Sequence, residues 1–241
     1  MKRYYILDDI RGLAVISMVL YHFLWDVVYL GGRAIDWYSA LPGCIWQQSI
    51  CWTFILLSGF CWSLGRHRLK RGLIVFVGGA VVTIVTLIIM PENRIVFGIL
   101  TLLGSCTLLM IPLEKLLRHC SCEIGLAVSG LLFAAAKNIY YGSLWLGKIK
   151  LPKELYRDFF TAFFGFPNRS FFSADYFPLL PWLFLFIAGY FLYRIFEKYR
   201  LLRLLEHRGL SSLEWIGRHA LEIYLIHQPI LALFFMNGGL R

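Results

Sequence analysis

Residues Leu7–Asp26, LDDIRGLAVISMVLYHFLWD, decide how the rest of the chain is read. Their middle, Leu13–Leu20, is apolar and with its flanks is long enough to enter a bilayer. Yet Arg11 stands near one end, and His22 and Asp26 follow further in. At about 100° per residue, Asp8, Arg11, His22 and Asp26 fall within a wedge of roughly 60° on one helix face. The Arg11–His22 spacing, at about 1.5 Å per residue, places the histidine roughly 16 Å deeper, about half a hydrocarbon core. Ionisable groups at that depth are costly unless they face a protein interior or a wet cavity. A lone buried histidine is ordinarily satisfied by a neighbouring helix. Four polar groups in one narrow wedge favour a site instead. Asp26, one turn beyond His22, can accept the proton of one ring nitrogen and leave the other as a base. Asp8, one turn before Arg11, is placed to pair with it.

Composition sets the class. Of 241 residues, 59% are hydrophobic and 16% charged, with a mean hydropathy of +0.67. A soluble domain of this size could not bury so much apolar surface, so a polytopic membrane protein is expected. The net charge of +10 would also suit nucleic acid. However, the Lys and Arg residues gather in short clusters between apolar runs, which fits cytoplasmic loops facing anionic lipid, and no nucleic-acid partner is expected. No small-residue cleavage site follows the first apolar run, so that helix should stay in the protein. The six cysteines form no C-x-x-C pair, and neither a zinc site nor a disulfide framework is indicated.

Seven apolar spans are expected: Gly12–Leu30, Ile45–Leu64, Gly72–Met90, Ile95–Ile111, Ile124–Tyr141, Phe177–Ile195 and Ala220–Met236. The cations at 66–71, at 115–118 and at 198–218 fall on the same side as Lys2, Arg3 and Arg11. The positive-inside rule makes that side cytoplasmic, with the C-terminus outside. The longest connection, Gly142–Tyr176, is basic and rich in phenylalanine over Phe159–Phe172, suggesting an interfacial helix or re-entrant lid. No internal repeat or domain boundary is visible. The fold class is therefore all-α: one membrane domain over 1–241, with about seven transmembrane helices and a cytoplasmic N-terminus.

Several further constellations could carry chemistry. Gln47 and Gln48 open the second span, and Ser58-Gly59-Phe60 closes it. Gly59 permits close approach by another helix, the better reading, or by a ligand. Arg66, Arg68, Lys70 and Arg71 read either as a positive-inside anchor or as a cradle for phosphates. Asp175 and Tyr176, in the run ADYFPLLPW, put an anion and a phenol at the outer mouth. The last span, opening within WIGRHALEIYLIHQP, carries Arg218 and Glu222, spaced to pair, and Tyr224 and His227 on one face. Two intramembrane histidines in one bundle favour a shared polar site. No P-loop, dinucleotide fingerprint, nucleophile elbow or H-E-x-x-H occurs.

Asp8-x-x-Arg11-Gly12, the R-x10-H spacing of Arg11 and His22, and Ser58-Gly59-Phe60 together resemble the transmembrane acyltransferase superfamily. Within it, the chain is most similar to small bacterial-type members of the heparan-α-glucosaminide N-acetyltransferase catalytic-domain family. The runs at 175–182 and 217–229 share this resemblance, which spans most of the chain. It implies an acyl-CoA co-substrate, most simply acetyl-CoA, bound from the cytoplasm without a metal. It also implies a carbohydrate or amino-sugar acceptor, a multi-pass location in the plasma membrane, and a homodimer through membrane helices. Carried over, His22 is the catalytic histidine, with Asp26 and Arg11 beside it. Arg11, Ser58, Gly59, Arg66, Arg68, Lys70 and Arg71 would serve the donor; Gln47, Asp175, Tyr176, Tyr224 and His227 would serve the acceptor, with Tyr224 or His227 hydrogen-bonding the developing oxyanion. His22 could act as general base or as a nucleophile that carries the acyl group. The alternative reading is a small transporter or lipid-binding membrane protein using the same cavity.

Overall fold

The computed structural model describes residues 3–236; Lys2, counted above among the cytoplasmic cations, lies outside them. The chain divides into two compact units, Met1–Phe54 with Tyr199–Arg241, and Ile55–Lys198. Among the described residues, six helices are long and apolar enough to cross a membrane. They correspond to the first six expected spans. The seventh, Ala220–Met236, is apolar but only 17 residues long, about 26 Å. It is shortened at its start by a break at His219 (φ −98°, ψ 24°), so it is the one expected span that the six do not include.

The first unit is built on α1 (Tyr5–Tyr29), whose 25 residues reach about 38 Å. The helix starts seven residues earlier than the apolar run, which brings Asp8 and Arg11 onto it as part of a continuous face. A four-residue turn, α2 (Asp36–Ser39), follows, and α3 (Leu41–Trp62) contributes its first part to this unit. Trp46 on α3 donates its indole N–H to Ser17 at 2.7 Å, and Tyr38 donates its hydroxyl to the Tyr21 carbonyl at 3.1 Å. From the other end of the chain, α9 (Ser211–Arg218) and α10 (Ala220–Met236) pack on α1. The α1–α9 crossing is backbone against backbone. A Cβ on Gly12 would run into the Leu213 carbonyl, and one on Gly217 into that of Asp8. Only glycine at both positions lets the helices meet this closely.

The second unit takes the rest of α3 together with α4 (Arg68–Ile89), α5 (Ile99–Leu117), α6 (Cys122–Ala136) and α8 (Leu179–Lys198). Here α4 packs on α5, and α6 on α8. The long connection holds a small antiparallel hairpin, β1 (Ser143–Leu144) with β2 (Ile149–Lys150), and a six-residue helix α7 (Phe159–Phe164) that packs on α8. The phenylalanine-rich stretch expected to form an interfacial helix or lid is thus helical over six residues and otherwise irregular. Asp158 caps α7: its side chain accepts from the Thr161 N–H, and the Thr161 hydroxyl faces the Asp158 N–H in return.

Candidate functional site

In the first unit, the stripe on α1 meets α10. The rings of His22 and His227 lie 4.9 Å apart between centroids, at 57° to one another. Tyr224, one turn before His227, sits 5.5 Å from it ring to ring. Asp26 is fully buried at 0% exposure. Its Oδ1 accepts a hydrogen bond from Gln228 Nε2 at 3.0 Å, so the expected Asp26–His22 bond is replaced by one that reaches across to α10. The reason is geometric: Gln228 projects directly at the carboxylate, while His22 turns its ring toward His227 and stands edge-on to Tyr21.

Three atoms in this cluster are buried without a hydrogen-bond partner among the described residues: Asp26 Oδ2, Gln228 Oε1 and His227 Nε2. Each forgoes solvation that a partner would ordinarily replace, at a cost of about 1–3 kcal/mol. An aromatic shell closes the group beyond Tyr21, which lies 5.0 Å from Tyr38 at a tilt of 35° and 5.3 Å edge-on to Trp46. Gln47 is half-buried on α3. Its neighbour Gln48 accepts from the Trp52 indole at 3.1 Å.

Toward the N-terminal end of α1, the Arg11 guanidinium bonds the Asp8 carboxylate at 3.2 Å, the pairing expected from their spacing, and also reaches the Gly217 carbonyl at 3.5 Å. Asp8 is shared with Arg3 at 3.0 Å. Arg11 therefore ties α1 to α9 at their closest crossing. The expected Arg218–Glu222 pair does not form. Because the helix breaks at His219, Arg218 donates back along α9 to the Glu214 carbonyl at 3.2 Å.

The second unit holds the remaining candidates. The close approach at Gly59 is taken by α8, since a Cβ there would strike the Phe186 carbonyl, and one on Gly189 would strike that of Leu56. Helix packing, not a ligand, fills this space. At the start of α4, the Arg68 guanidinium lies 3.9 Å over the Trp62 ring, whose indole N–H donates to the Thr107 carbonyl at 3.0 Å. Arg66, Lys70 and Arg71 are exposed beside it. His67 supplies no side-chain cap. Cations at a helix N-terminus have the unfavourable sign for the macrodipole, so this end carries concentrated positive potential suited to an anion.

Asp175 turns inward. Its Oδ2 accepts the Ile99 N–H at 3.3 Å at the start of α5, and its carbonyl accepts from the Ser173 hydroxyl at 3.1 Å. Burial holds its carboxyl up at about 6, against the partly offsetting Ile99 bond. Tyr176 donates its hydroxyl to the Ala162 carbonyl of α7, and burial pushes its phenol up. The structure thus brings together His22, Asp26, Tyr224 and His227 in one unit and uses Asp175, Tyr176 and Gly59 to build the other.

Sequence reasoning misses Gln228. A neutral amide lacks the charge penalty that singles out an ionisable group at depth. The available signal is its spacing from Tyr224, which puts the two about 40° apart on one helix.

A family model for heparan-alpha-glucosaminide N-acetyltransferase, catalytic, matches residues 3–229. The chain belongs to this family. The match covers sequence from both units, including the α1 stripe and the His227-Gln228-Pro229 end of α10. No curated protein and no solved structure matches the chain in the corresponding comparisons. Membership makes this an integral membrane protein of an acetyltransferase family.

Proposed function

We propose that the protein transfers an acyl group, most simply acetyl, from acyl-CoA to an amino or hydroxyl group of a carbohydrate-type acceptor, as one domain in the plasma membrane. The observation that carries this reading is the His22–His227 pair, with rings 4.9 Å apart on two apolar helices and a buried carboxylate within the same cluster. Acyl transfer needs a group that can remove a proton from the acceptor, and an imidazole is suited to that near neutral pH. His22 is the centre of that chemistry, whether as base or as nucleophile. Asp26, held by Gln228, fixes α10 beside it, and Arg11 holds the α1–α9 crossing from which the stripe descends.

The residues of the second unit suit the donor's charge. Arg66, Lys70 and Arg71 are exposed at the N-terminus of α4, and Arg68 is braced over Trp62. Four cations at the positive end of a helix favour the phosphates of acyl-CoA. When bound, acyl-CoA supplies the acyl group as a thioester. The transporter alternative has no specific observation in its favour.

The test is turnover of labelled acetyl-CoA by protein purified into nanodiscs, with and without glucosamine-type acceptors, for the native sequence and for His22→Ala. Acceptor-dependent CoA release lost in the variant supports the reading. Label retained on the native protein and lost in the variant makes His22 the acyl carrier. Solute flux that needs no acyl-CoA, together with no CoA release, overturns it for transport.

A further inference from the structure

The second histidine is not a copy of the first. His227 Nδ1 lies 2.6 Å from the Tyr224 carbonyl oxygen, one turn back on α10. A carbonyl oxygen can only accept, so in the neutral ring Nδ1 carries the hydrogen and donates it. That assignment leaves Nε2 with a bare lone pair. The same Nε2 is buried and has no hydrogen-bond partner among the described residues, on a residue only 8% exposed. A buried acceptor without a donor is rare in a folded protein and asks for an explanation. Its neighbours do not supply one. His22 faces it with its ring from α1, Asp26 on α1 is engaged with Gln228, and Tyr224 packs beside it on α10.

Resting on the acyl-transfer reading above, we infer that His227 is a proton acceptor of this site, its Nε2 lone pair set by the Tyr224 carbonyl to receive the acceptor substrate's N–H or O–H. This departs from the role expected from the sequence, in which Tyr224 or His227 would hydrogen-bond the developing oxyanion. A neutral ring fixed this way has nothing to donate at Nε2.

The proton balance is simple. The acceptor's nitrogen or oxygen bonds to the acyl carbon while its proton passes to Nε2. The carbon–sulfur bond breaks with its electron pair going to sulfur, and Nε2 returns the proton to that thiolate. His227 ends neutral, and no other reactant is required. Two imidazoles on facing helices then divide the work. His227 takes the acceptor's proton, which leaves His22 the nucleophile's part: it displaces the thiolate, carries the acyl group and is released when the acceptor attacks. The 2.6 Å bond to Tyr224 keeps the ring from flipping to offer its N–H instead.

Two variants separate this role from simple packing. His227→Asn keeps an N–H near the Nδ1 position for the Tyr224 carbonyl and removes the lone pair. His227→Gln places an amide near Nε2 and serves if the first variant does not fold, as judged by size-exclusion and thermal unfolding in detergent. The expected result is unchanged acetyl-CoA binding and a kcat lower by about 10²–10⁴-fold in either variant, with loss of the acid limb of the pH–kcat profile. A second readout is independent of turnover. Nitrogen NMR of histidine-labelled protein, assigned by subtracting a His227 variant, should show His227 protonated at Nδ1 and bare at Nε2.

An Nε2-protonated neutral ring, or a folded variant within about threefold of native kcat, overturns the role of His227 while leaving acyl transfer standing. A native protein that shows the expected tautomer but transfers no acyl group overturns the acyl-transfer reading, and this role with it.

Discussion

The α1–α10 cluster and the loop region around Asp175 treat buried polar atoms in opposite ways. In the loop region the groups close on one another. Asp175 accepts from Ile99, Ser173 accepts from the Val96 N–H, Tyr176 donates to the Ala162 carbonyl, and Tyr156 donates to the Ile139 carbonyl. In the cluster, Asp26 Oδ2, Gln228 Oε1 and His227 Nε2 are buried and open. Polar groups that build a fold satisfy each other, because each unsatisfied one subtracts from a small net stability. Those left open at such a cost are the ones a ligand is expected to complete. Each region holds an aspartate beside tyrosine, so for those residue types the distinction lies in where their hydrogen bonds go.

That contrast sets what each set of substitutions should do. Among the substitutions that test this contrast, the largest effect is expected at His22→Gln, which should lower acyl transfer by about 10³-fold, some 4 kcal/mol of barrier, while leaving thermal unfolding near native. A variant that loses stability and turnover in proportion would put His22 in the structural class and break the comparison.

Asp175 should show the reverse pattern, in stability alone. Its folded carboxyl is raised to about 6 from an ordinary 3.8, so the folded protein binds the proton more tightly than the unfolded chain does. Its contribution is therefore full below about pH 4 and is lost as pH rises through 6. Over that window the free energy of unfolding should fall by up to about 3 kcal/mol, and Asp175→Asn should flatten the fall. Denaturant unfolding in detergent at a series of pH values measures it. A change in acceptor KM for Asp175→Asn without the pH effect would move Asp175 into the functional class.

Gln228→Leu tests the cluster's internal bond. Asp26 would lose the Gln228 donor while still buried, at a cost of about 2 kcal/mol in stability. Because Gln228 aligns α10 with α1, kcat should fall as well, whereas loop-region variants should change stability only. Unfolding and turnover measured on the same preparation separate these outcomes.

Much of this was legible in the sequence, for identifiable reasons. Apolar runs of about twenty residues have few alternatives to spanning helices, so six helices fall where hydropathy puts them. The periodicity of α1 brings Asp8 beside Arg11 and aligns both with His22 and Asp26. What could not be read was the partner of each group. Asp26 faces Gln228 rather than His22 because the register of α10 against α1 is set by packing from the far end of the chain. Arg218 turns to Glu214 because the helix breaks at His219, where the residues Arg-His-Ala carry no proline or glycine to mark an end. Asp175 resembled a binding anion because its capping target, Ile99, lies 76 residues away. Gly59 was read both ways, and only the α8 backbone decides for packing.

The smallest predicted effect is also the sharpest check on the comparison. Tyr176 was expected to meet the acceptor, yet its hydroxyl donates to the Ala162 carbonyl within the loop region. Tyr176→Phe keeps the ring, which packs 4.9 Å from Phe171 and 5.7 Å from Tyr140, and removes the donor alone. The Ala162 carbonyl then loses a partner, and stability should drop by about 1 kcal/mol. Turnover should stay within twofold of native at every acceptor concentration, since nothing in the α1–α10 cluster has changed. An acceptor KM raised fivefold or more at unchanged stability would mean that the hydroxyl leaves Ala162 for the substrate. Satisfied hydrogen bonds in the resting structure would then no longer distinguish fold-building groups from functional ones.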